Sequence, residues 1–497
     1  MFIMSRLFIA CDFGEERGRV MLGTLHKDRL NISEVHRFAN VPLREKDAVL
    51  WDIAQMYQET LVGLREIGAY EEPVDAISCH SWTGDYLLFH ADASFIPPTH
   101  HHSDPRTAEG RREVLKKMTW ESLYAETGLR DSSRSTLYQL AAEKPKTLKR
   151  ADHLMPVADG FNFLLGGVPC VEISSAAASQ LYNPTTRDWS DRLLNLVGVR
   201  AKMLPPLLAA GTRLKPLRPE LVQATRLEDA QVVASCSNAL AASLVGLPVP
   251  EDGSWAFLRL GREAVLGTEL GAPFINEASC EARFSHTLGH GGAVYGHLET
   301  AGLALLEDCR RILAETDPGL DDGALAYLAA SAPPLESLIN PADPRFASSH
   351  DLLAKIQGFC RDTGQTVPRK PGPIFRCLME SIALAHRRAL DSLVQLTGRT
   401  FTQVQLLSDS NNSMLHHFIA NALQLPVIVA PAETAAIGNV VVQALAMGRI
   451  HSLYDARQLV QQSFKWPGVL PHPAATWAPA YERFQQFAAA PAEAVPA

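Results

Sequence analysis

The 497-residue sequence has no strongly basic block, no C-x-x-C cysteine pair and no long uninterrupted apolar run. Its formal net charge is −8, which argues against a nucleic-acid partner, because such proteins usually carry a basic domain or stripe. The eight cysteines are scattered, so a structural zinc site is not predicted and reduced, mostly buried thiols are expected. This composition is typical of a globular protein of the cytoplasm.

Membrane attachment and secretion are not predicted either. The apolar N-terminus is interrupted by Arg6 and Asp12, and no cleavage-site pattern follows, so it does not read as a signal peptide. The longest uncharged stretch, residues 231–250, contains Asn238 and two prolines, which disfavour a membrane span. We therefore expect no membrane partner, and assembly into a homodimer stays open.

The chain is too long for one ordinary core, and it contains an internal repeat that suggests two domains. Apolar runs at 7–11 and 19–25 flank Gly14, and similar runs at 255–260 and 264–270 flank Gly261. Each copy predicts a strand–glycine turn–strand unit, followed by alternating helices and strands. The sequence therefore predicts an α/β protein with domains at 1–248 and 249–487 and a frayed tail at 488–497.

Several strings carry a resemblance to a known family. The first half contains CDFGEERGRVML, LWDI, SWTGDYLLF and HHSDPRT, and the second contains NPADPRF, ESIALAHR and PAETAAIGNVVVQALAMG. In this order they resemble the FGGY carbohydrate kinases, and among them the rhamnulokinase branch. The resemblance implies two actin-like (ribonuclease-H-like) domains with a cleft between them. It also implies a small-molecule sugar bound mainly by the first domain, and ATP with Mg bound mainly by the second.

The resemblance places the sugar site at two segments of the first half. Where the family reads Asp-Thr-Trp-Gly-Val-Asp, this chain reads HSWTGD, so His80 replaces the first Asp. Where the family reads His-Tyr-Arg-Asp-Pro-Arg-Thr, His102 and Ser103 replace the Tyr and the Arg. The implied substrate-binding residues are His80, Trp82, Asp85, His101, Asp104 and Arg106. Two simpler interpretations stay open: Trp82 as core packing, and Asp104 with Arg106 as a structural ion pair.

The catalytic and phosphate-binding positions depart further from the family pattern. The first phosphate loop keeps Gly14 but carries Glu15 and Glu16, whose charges would repel a triphosphate. The family's base lies in a His-Asp-Thr segment, and the matching residue here is Asn238, an amide that cannot accept the proton. The resemblance thus implies Asp12, Asp85 and Asn238 as the catalytic positions. In an active kinase, Asp12, Asp85 or Glu16 would have to replace the missing base.

Two nucleotide-binding turns of the second half are altered as well. The family's Ser-Gly-Thr turn becomes LGR, and its glycine-rich adenine-side turn becomes LSDSNN. Easy backbone approach to a nucleotide is lost with the glycines. The implied nucleotide contacts are Gly14, Gly261, Arg262, Asp409, Asn411, Gly438 and Asn439. For the last two, a role in the fold alone stays open.

The same regions are rich in histidine, which raises a metal hypothesis. His101, His286, His290 and Asp12 could hold a transition metal such as Zn or Mn, because imidazole and carboxylate are its usual ligands. Such an ion would support sugar isomerisation or epimerisation without ATP. The spacing forms no compact ligand motif, so chance clustering among the 17 histidines is the competing interpretation.

Three functions remain open from the sequence. The first is an ATP-dependent kinase of a ketose or deoxyketose such as L-rhamnulose. The second is an ATP-independent, metal-dependent sugar isomerase or epimerase on the kinase fold. The third is a non-catalytic sugar-binding relative. The altered ATP positions favour the second and third, and family frequency favours the first.

Overall fold

The computed structural model describes residues 5–473 and 475–488. They form two compact units: the first contains 5–249, Glu269–Gly296 and Glu433–Lys465, and the second contains Pro250–Thr268, His297–Ala432 and the described residues after 465. The predicted frayed tail at 488–497 lies almost wholly outside the described residues. No helix among the described residues is long and apolar enough to cross a membrane.

The N-terminal half of the chain alternates strands and helices. Its strands are β1 Arg6–Phe13, β2 Arg17–His26, β3 Arg29–Ala39, β4 Leu43–Glu45, β5 Ala48–Trp51, β6 Val74–Ser81, β7 Tyr86–Phe89, β8 Thr99–His100, β9 His153–Pro156, β10 Val171–Glu172, β11 Tyr182–Asn183, β12 Asp188–Trp189, β13 Leu207–Leu208, β14 Thr212–Pro216 and β15 Gln231–Ala234. Its helices are α1 Ile53–Gly68, α2 Arg106–Leu115, α3 Trp120–Thr127, α4 Thr136–Ala141, α5 Pro145–Arg150, α6 Val157–Gly166, α7 Ile173–Ala178, α8 Asp191–Val197, α9 Pro219–Thr225 and α10 Ala239–Val245.

The C-terminal half continues the alternation with longer helices. Its strands are β16 Trp255–Leu260, β17 Ala264–Leu270, β18 Ser285–Leu288, β19 Val294–Thr300, β20 Gln403–Ser408, β21 Val427–Val429 and β22 Gly468–Val469. Its helices are α11 Glu277–Glu281, α12 Ala304–Thr316, α13 Asp322–Ala330, α14 Leu352–Asp362, α15 Pro371–Thr397, α16 Ser413–Leu423, α17 Thr434–Ala446, α18 Leu453–Ser463 and α19 Trp477–Ala488. Both hairpins predicted from the internal repeat are confirmed as β1–β2 and β16–β17.

The first unit is built on a six-stranded sheet in the order β14-β15-β6-β1-β2-β3. Strand β2 is antiparallel to both β1 and β3, whereas β6 and β15 run parallel to β1. Strand side chains alternate between faces, so Leu7, Ile9, Cys11 and Phe13 of β1 enter one core. The C-terminal ends of β1, β6 and β15 consequently share one edge of the sheet.

The second unit repeats this strand arrangement. Strand β16 pairs antiparallel with β17 and parallel with β20, and β20 pairs parallel with β21. The order β17-β16-β20-β21 therefore matches β2-β1-β6-β15 in the first unit. An antiparallel hairpin followed by parallel strands in both units supports the duplication inferred from the sequence.

Helix α17 covers the first sheet at close range. Its Gly438 has no room for a side chain, because an added Cβ would lie 1.8 Å from the carbonyl oxygen of Ala242 in α10. This close approach of the two helices places the next residue, Asn439, against the strand ends, where it is fully buried. Gly438 thus has a clear role in the fold of the first unit.

Candidate functional site

Three loops converge at the shared edge of the first sheet because parallel strands present their C-terminal ends there. Asp12 lies opposite His80 in the pairing of β1 with β6. Beyond β6, Ser81 forms an isolated parallel bridge with Asn238, and its backbone N–H donates to the carbonyl of Ser237 at 2.9 Å. The structure therefore brings three sequence-predicted residues, Asp12, His80 and Asn238, to one edge, as is usual for ligand sites of α/β sheets.

Asp12 is held by Arg19 and His80. Arg19 Nε donates to Asp12 Oδ2 at 2.9 Å, and His80 Nε2 lies 3.1 Å from Oδ1 in a contact that lacks good hydrogen-bond geometry. Burial alone would raise the pKa of Asp12, but His80 and Arg19 outweigh it and hold the pKa well below its ordinary value. Asp12 is therefore an ionised carboxylate that is already neutralised within the protein.

His80 is sealed into a chain of hydrogen bonds. Gln443 Nε2 donates to Asn439 Oδ1 at 2.7 Å, which fixes the amide of Asn439. Asn439 Nδ2 then donates to His80 Nδ1 at 3.0 Å, so the proton of a neutral imidazole resides on Nε2, facing Asp12. His80 is 0% exposed, and its two ring nitrogens face Asp12 and Asn439. The amide of Asn439 belongs to the same chain of hydrogen bonds. Neither side chain faces solvent as a ligand contact would.

Asp85 is the hub of the predicted sugar-side residues. Its Oδ2 accepts from the indole N–H groups of Trp51 at 2.7 Å and Trp82 at 2.8 Å and from Nδ1 of His102 at 3.0 Å, while Oδ1 accepts from Gln139 at 2.8 Å. Burial alone would raise the pKa of Asp85, but these hydrogen bonds, His102 first, lower it. The carboxylate thus positions four side chains. Sequence reasoning missed two of them, Trp51 and Gln139.

Four rings form a continuous stack beside Asp85. The centroid distances are 4.4 Å between Trp51 and Trp82, 4.2 Å between Trp51 and His101, and 4.0 Å between His101 and His102. His101 Nδ1 accepts from the backbone N–H of Ser103 at 2.9 Å. Burial and the neighbouring His102 lower the pKa of His101 to about 4, so His101 is neutral at pH 7. An aromatic wall of this kind suits the apolar face of a sugar.

Asp104 and Arg106 hold the histidine loop in place. Asp104 accepts from the backbone N–H of Val49 at 2.8 Å and from that of Arg106 at 2.9 Å, and it contacts His100 Nδ1 at 3.2 Å. Arg106 donates to Glu143 at 2.9 Å within a buried pair. The two residues thus fix the loop relative to β5, which carries Trp51. They therefore support the loop that carries His101 and His102.

Asn238 caps a helix. It is the N-cap of α10, and its Oδ1 accepts from the backbone N–H of Leu240 at 2.9 Å. Its own N–H donates to Ser174 Oγ at 3.1 Å. An amide in this role satisfies the helix end as well as an aspartate would, but it offers no proton-accepting carboxylate.

Two buried acids, which sequence reasoning missed, lie behind Asn238. Asp159 accepts from Ser237 Oγ at 2.7 Å, and Glu172 accepts from the Ser237 backbone N–H at 2.9 Å and from the Ser174 hydroxyl. Burial, assisted by the charge of Glu172, raises the pKa of Asp159 to about 8, and burial raises that of Glu172 to about 7. The pair therefore shares at least one proton at neutral pH.

The predicted transition-metal centre is not formed. His286 uses both ring nitrogens on backbone groups, Nδ1 with the carbonyl of Gly128 at 2.8 Å and Nε2 with the N–H of Phe274 at 2.9 Å. His290 Nδ1 contacts the carbonyl of Ala210 at 3.2 Å. Asp12 is paired with Arg19, and His101 accepts from the backbone N–H of Ser103. Within 5–473 and 475–488, no group of three His, Cys, Asp or Glu side chains is placed to hold a metal ion. The histidines cluster in the sequence, but both ring nitrogens of His286 and Nδ1 of His290 are engaged with backbone groups.

In the second unit, an ion pair closes the turn around Gly261. Arg259 Nη2 donates to Asp409 Oδ2 at 2.8 Å, and the Asp409 backbone N–H donates to the Leu260 carbonyl at 3.0 Å. A Cβ added to Gly261 would lie 2.7 Å from Asp409 Oδ2, so the carboxylate occupies the space beside this glycine. Arg262 Nη1 donates to Glu307 Oε2 at 2.6 Å. Asn411 lies exposed in the same loop as Asp409.

Comparison with known proteins identifies the family. Residues 7–246 match the N-terminal domain of the FGGY family of carbohydrate kinases, and residues 284–447 match its C-terminal domain. The chain belongs to the FGGY family of carbohydrate kinases. It is rhamnulokinase-like: it is 30% identical to the rhamnulokinase of Pectobacterium carotovorum over 96% of this chain and 95% of that protein. Over 97% of this chain and 99% of the relative, it is 29% identical to the rhamnulokinase of Bacteroides thetaiotaomicron.

Solved structures agree on the fold of this FGGY protein. A ligand-bound xylulose kinase from Lactobacillus acidophilus has a TM-score of 0.81 at 14% identity and covers 98% of this chain and 99% of its own. A Plasmodium falciparum glycerol kinase with ADP has a TM-score of 0.80 at 13% identity and covers 97% of each chain. The predicted α/β fold with two actin-like, ribonuclease-H-like domains is confirmed.

FGGY kinases use ATP with Mg, but the residues of this chain do not fit that ligand. Asp12, the carboxylate of the first phosphate loop, is already neutralised by Arg19 and His80. Glu15 and Glu16 add negative charge beside Gly14. The space next to Gly261 is filled by Asp409. Each of these features disfavours a triphosphate, and they lie in both units.

Proposed function

We propose that this FGGY protein binds a ketose or deoxyketose of the rhamnulose type in its first unit and does not phosphorylate it. The observation that carries the proposal is that Asn238, which the family resemblance assigns to the base position, serves as a helix cap. Phosphoryl transfer to a sugar hydroxyl needs a group that accepts the hydroxyl proton, and an amide does not. The lack of fit for ATP with Mg supports the same conclusion.

Sugar binding is supported by the residues around Asp85. A stack of Trp51, Trp82 and two histidines beside an ionised, fully hydrogen-bonded carboxylate is a rigid arrangement. Aromatic faces and fixed polar groups are the usual components of a carbohydrate site. The similarity to rhamnulokinases over nearly the whole chain makes a ketose or deoxyketose the best candidate ligand.

ATP-dependent phosphorylation of the same sugar is the second candidate. It is favoured by the full-length similarity to rhamnulokinases and by the presence of both family domains. It requires that another carboxylate of the first unit accept the proton in place of Asn238. Asp12 and Asp85 both have their oxygens engaged, which counts against them in that role.

Isothermal titration calorimetry separates the two candidates. Full-length protein is titrated with L-rhamnulose, L-fuculose, L-ribulose and D-xylulose, and separately with ATP in the presence of Mg. We expect binding of at least one ketose, no ATP binding and no ketose-dependent ADP formation. ATP binding with ketose-dependent ADP formation would establish the kinase, and the absence of any ketose binding would contradict the proposal.

A further inference from the structure

The imidazole of His102 has one engaged and one open nitrogen. Nδ1 lies 3.0 Å from the ionised carboxylate of Asp85, which can only accept, so Nδ1 is the donor. In the neutral imidazole, Nε2 then carries the lone pair. Among the described residues no hydrogen bond reaches Nε2, and this atom is not among the polar atoms that are sealed from solvent without a partner. The neutral form of His102 therefore presents a fixed acceptor.

A second acceptor lies next to it. Glu15 Oε2 is 3.7 Å from His102 Nε2, too far for a hydrogen bond between them. The other oxygen, Oε1, accepts from Arg134 Nη1 at 2.6 Å, which holds the carboxylate in this orientation. The Glu15 side chain is 38% exposed and the His102 side chain is 4% exposed, so solvent reaches this pair of acceptors from the Glu15 side.

Both acceptors are departures from the family pattern. His102 replaces a Tyr, and Glu15 replaces a small or hydroxyl residue of the phosphate loop. Glu15 is unfavourable for a triphosphate, yet Arg134 turns it toward the aromatic stack that contains His101 and Trp82. Two substitutions that are hard to explain for a nucleotide site thus meet at the sugar side of the first unit.

We infer that His102 Nε2 and Glu15 Oε2 bind a vicinal diol of the ketose, with Asp85 and Arg134 as their positioning residues. Hydroxyls on adjacent carbons lie about one hydrogen-bond length apart, so each can donate to one of the two acceptors. The carbon skeleton of the sugar then lies against the ring stack. This inference rests on the proposed sugar binding and names the part of the sugar that is recognised.

The test measures ketose affinity in matched variants by calorimetry, with L-rhamnulose as the probe. Glu15→Gln removes the charge and keeps the size of the side chain. His102→Asn keeps a donor toward Asp85 and removes the Nε2 acceptor. Glu72→Gln, at an exposed glutamate that follows α1 in the same unit, is the control. Thermal unfolding of each variant checks that the fold is retained.

We expect each of the two site variants to weaken binding about 10-fold or more, and the control to change it less than 2-fold. An L-rhamnulose analogue that lacks one hydroxyl of the diol should bind wild type weakly and lose little further affinity in one of the variants. The His102 ring proton signal, assigned in NMR spectra by its absence from His102→Asn, should shift on addition of L-rhamnulose.

Two outcomes would overturn the inference and are distinguishable. If wild type binds L-rhamnulose and both variants bind it equally well, the diol site is wrong while the proposed sugar binding stands. If wild type binds none of the ketoses, the proposed function fails and the diol site fails with it. A His102 signal that does not move while the sugar binds would also count against the site.

Discussion

Two aspartate–histidine pairs of the first unit differ in how far the imidazole is enclosed. His80, beside Asp12, is 0% exposed and uses both ring nitrogens. His102, beside Asp85, uses only Nδ1 and keeps Nε2 open. Both histidines replace other residues of the family pattern. His80 is packed among the strand ends, whereas His102 faces Glu15, which is partly exposed.

The comparison shows that the chemistry of a pair does not fix its role. In both pairs the histidine helps to lower the pKa of a buried aspartate, so both carboxylates are ionised. What differs is whether any acceptor capacity remains for a ligand. Asp12 and His80 are buried and face each other, Arg19 and Asn439, which gives them a structural role, whereas the neutral form of His102 keeps one lone pair for a sugar hydroxyl. The predictions below test this difference in order of expected effect.

The largest effect is expected from Asp85→Asn. The substitution removes a charge that four buried or nearly buried donors share, and it turns an amide N–H toward one of them. We expect the free energy of unfolding to fall by about 3 kcal/mol or more and ketose binding to be lost. Denaturant unfolding measures the first effect and calorimetry the second.

The surface carboxylate Asp92 provides a control for this prediction. It lies exposed in the same unit and accepts from Ser94 alone among the described residues. Asp92→Asn should change stability by less than about 0.5 kcal/mol. Equal effects of the two substitutions would show that the hub role assigned to Asp85 is wrong.

The next effect concerns carboxylates that have no histidine partner. Asp159 and Glu172 have pKa values raised to about 8 and about 7, the opposite direction from Asp12 and Asp85. Between about pH 4 and pH 8 the folded state therefore binds more protons than the unfolded state, so stability falls as the pH rises through this window. We expect a loss of several kcal/mol for the pair across this window, because one pKa unit corresponds to about 1.4 kcal/mol.

Asp159→Asn should flatten this dependence. The amide cannot ionise, so between pH 5 and pH 8 the variant should lose only the part of the stability that depends on Glu172, while wild type loses more. Thermal unfolding temperatures at several pH values provide the measurement. Parallel pH profiles of variant and wild type would show that Asp159 does not retain its proton in the folded protein.

A smaller effect is expected at His80. His80→Leu leaves Asp12 paired with Arg19 and removes the contacts to Asp12 and Asn439. We expect a destabilisation of about 1–2 kcal/mol, and a ketose affinity within 2-fold of wild type because His80 is sealed from solvent. A strong loss of affinity in a variant that remains folded would put His80 in the sugar site and remove the distinction between the two pairs.

Local structure was predictable from the sequence because it depends on neighbouring residues. Both glycine-turn hairpins were expected where β1–β2 and β16–β17 lie. The family strings also led to Trp82 and Asp85, which do meet. These predictions rested on short-range patterns or on matched motifs.

The remaining parts of the site depend on contacts between distant residues. Asp85 meets Trp51 across 34 residues and Gln139 across 54, and Glu15 meets Arg134 across 119. No periodicity signals such pairs. The metal hypothesis failed for a related reason, since a sequence shows that histidines are close along the chain but not which backbone groups their nitrogens contact.

The smallest structural effect is expected from Asn238→Asp. Aspartate and asparagine cap helices equally well, so the free energy of unfolding should change by less than about 0.5 kcal/mol. The variant regains the carboxylate of the family's base, but Asp12 stays neutralised and Asp409 still occupies the space beside Gly261. We therefore expect no ketose-dependent ADP formation from the single change. ADP formation by Asn238→Asp alone would show that only the base was missing and that the enclosed Asp12–His80 pair is compatible with nucleotide chemistry.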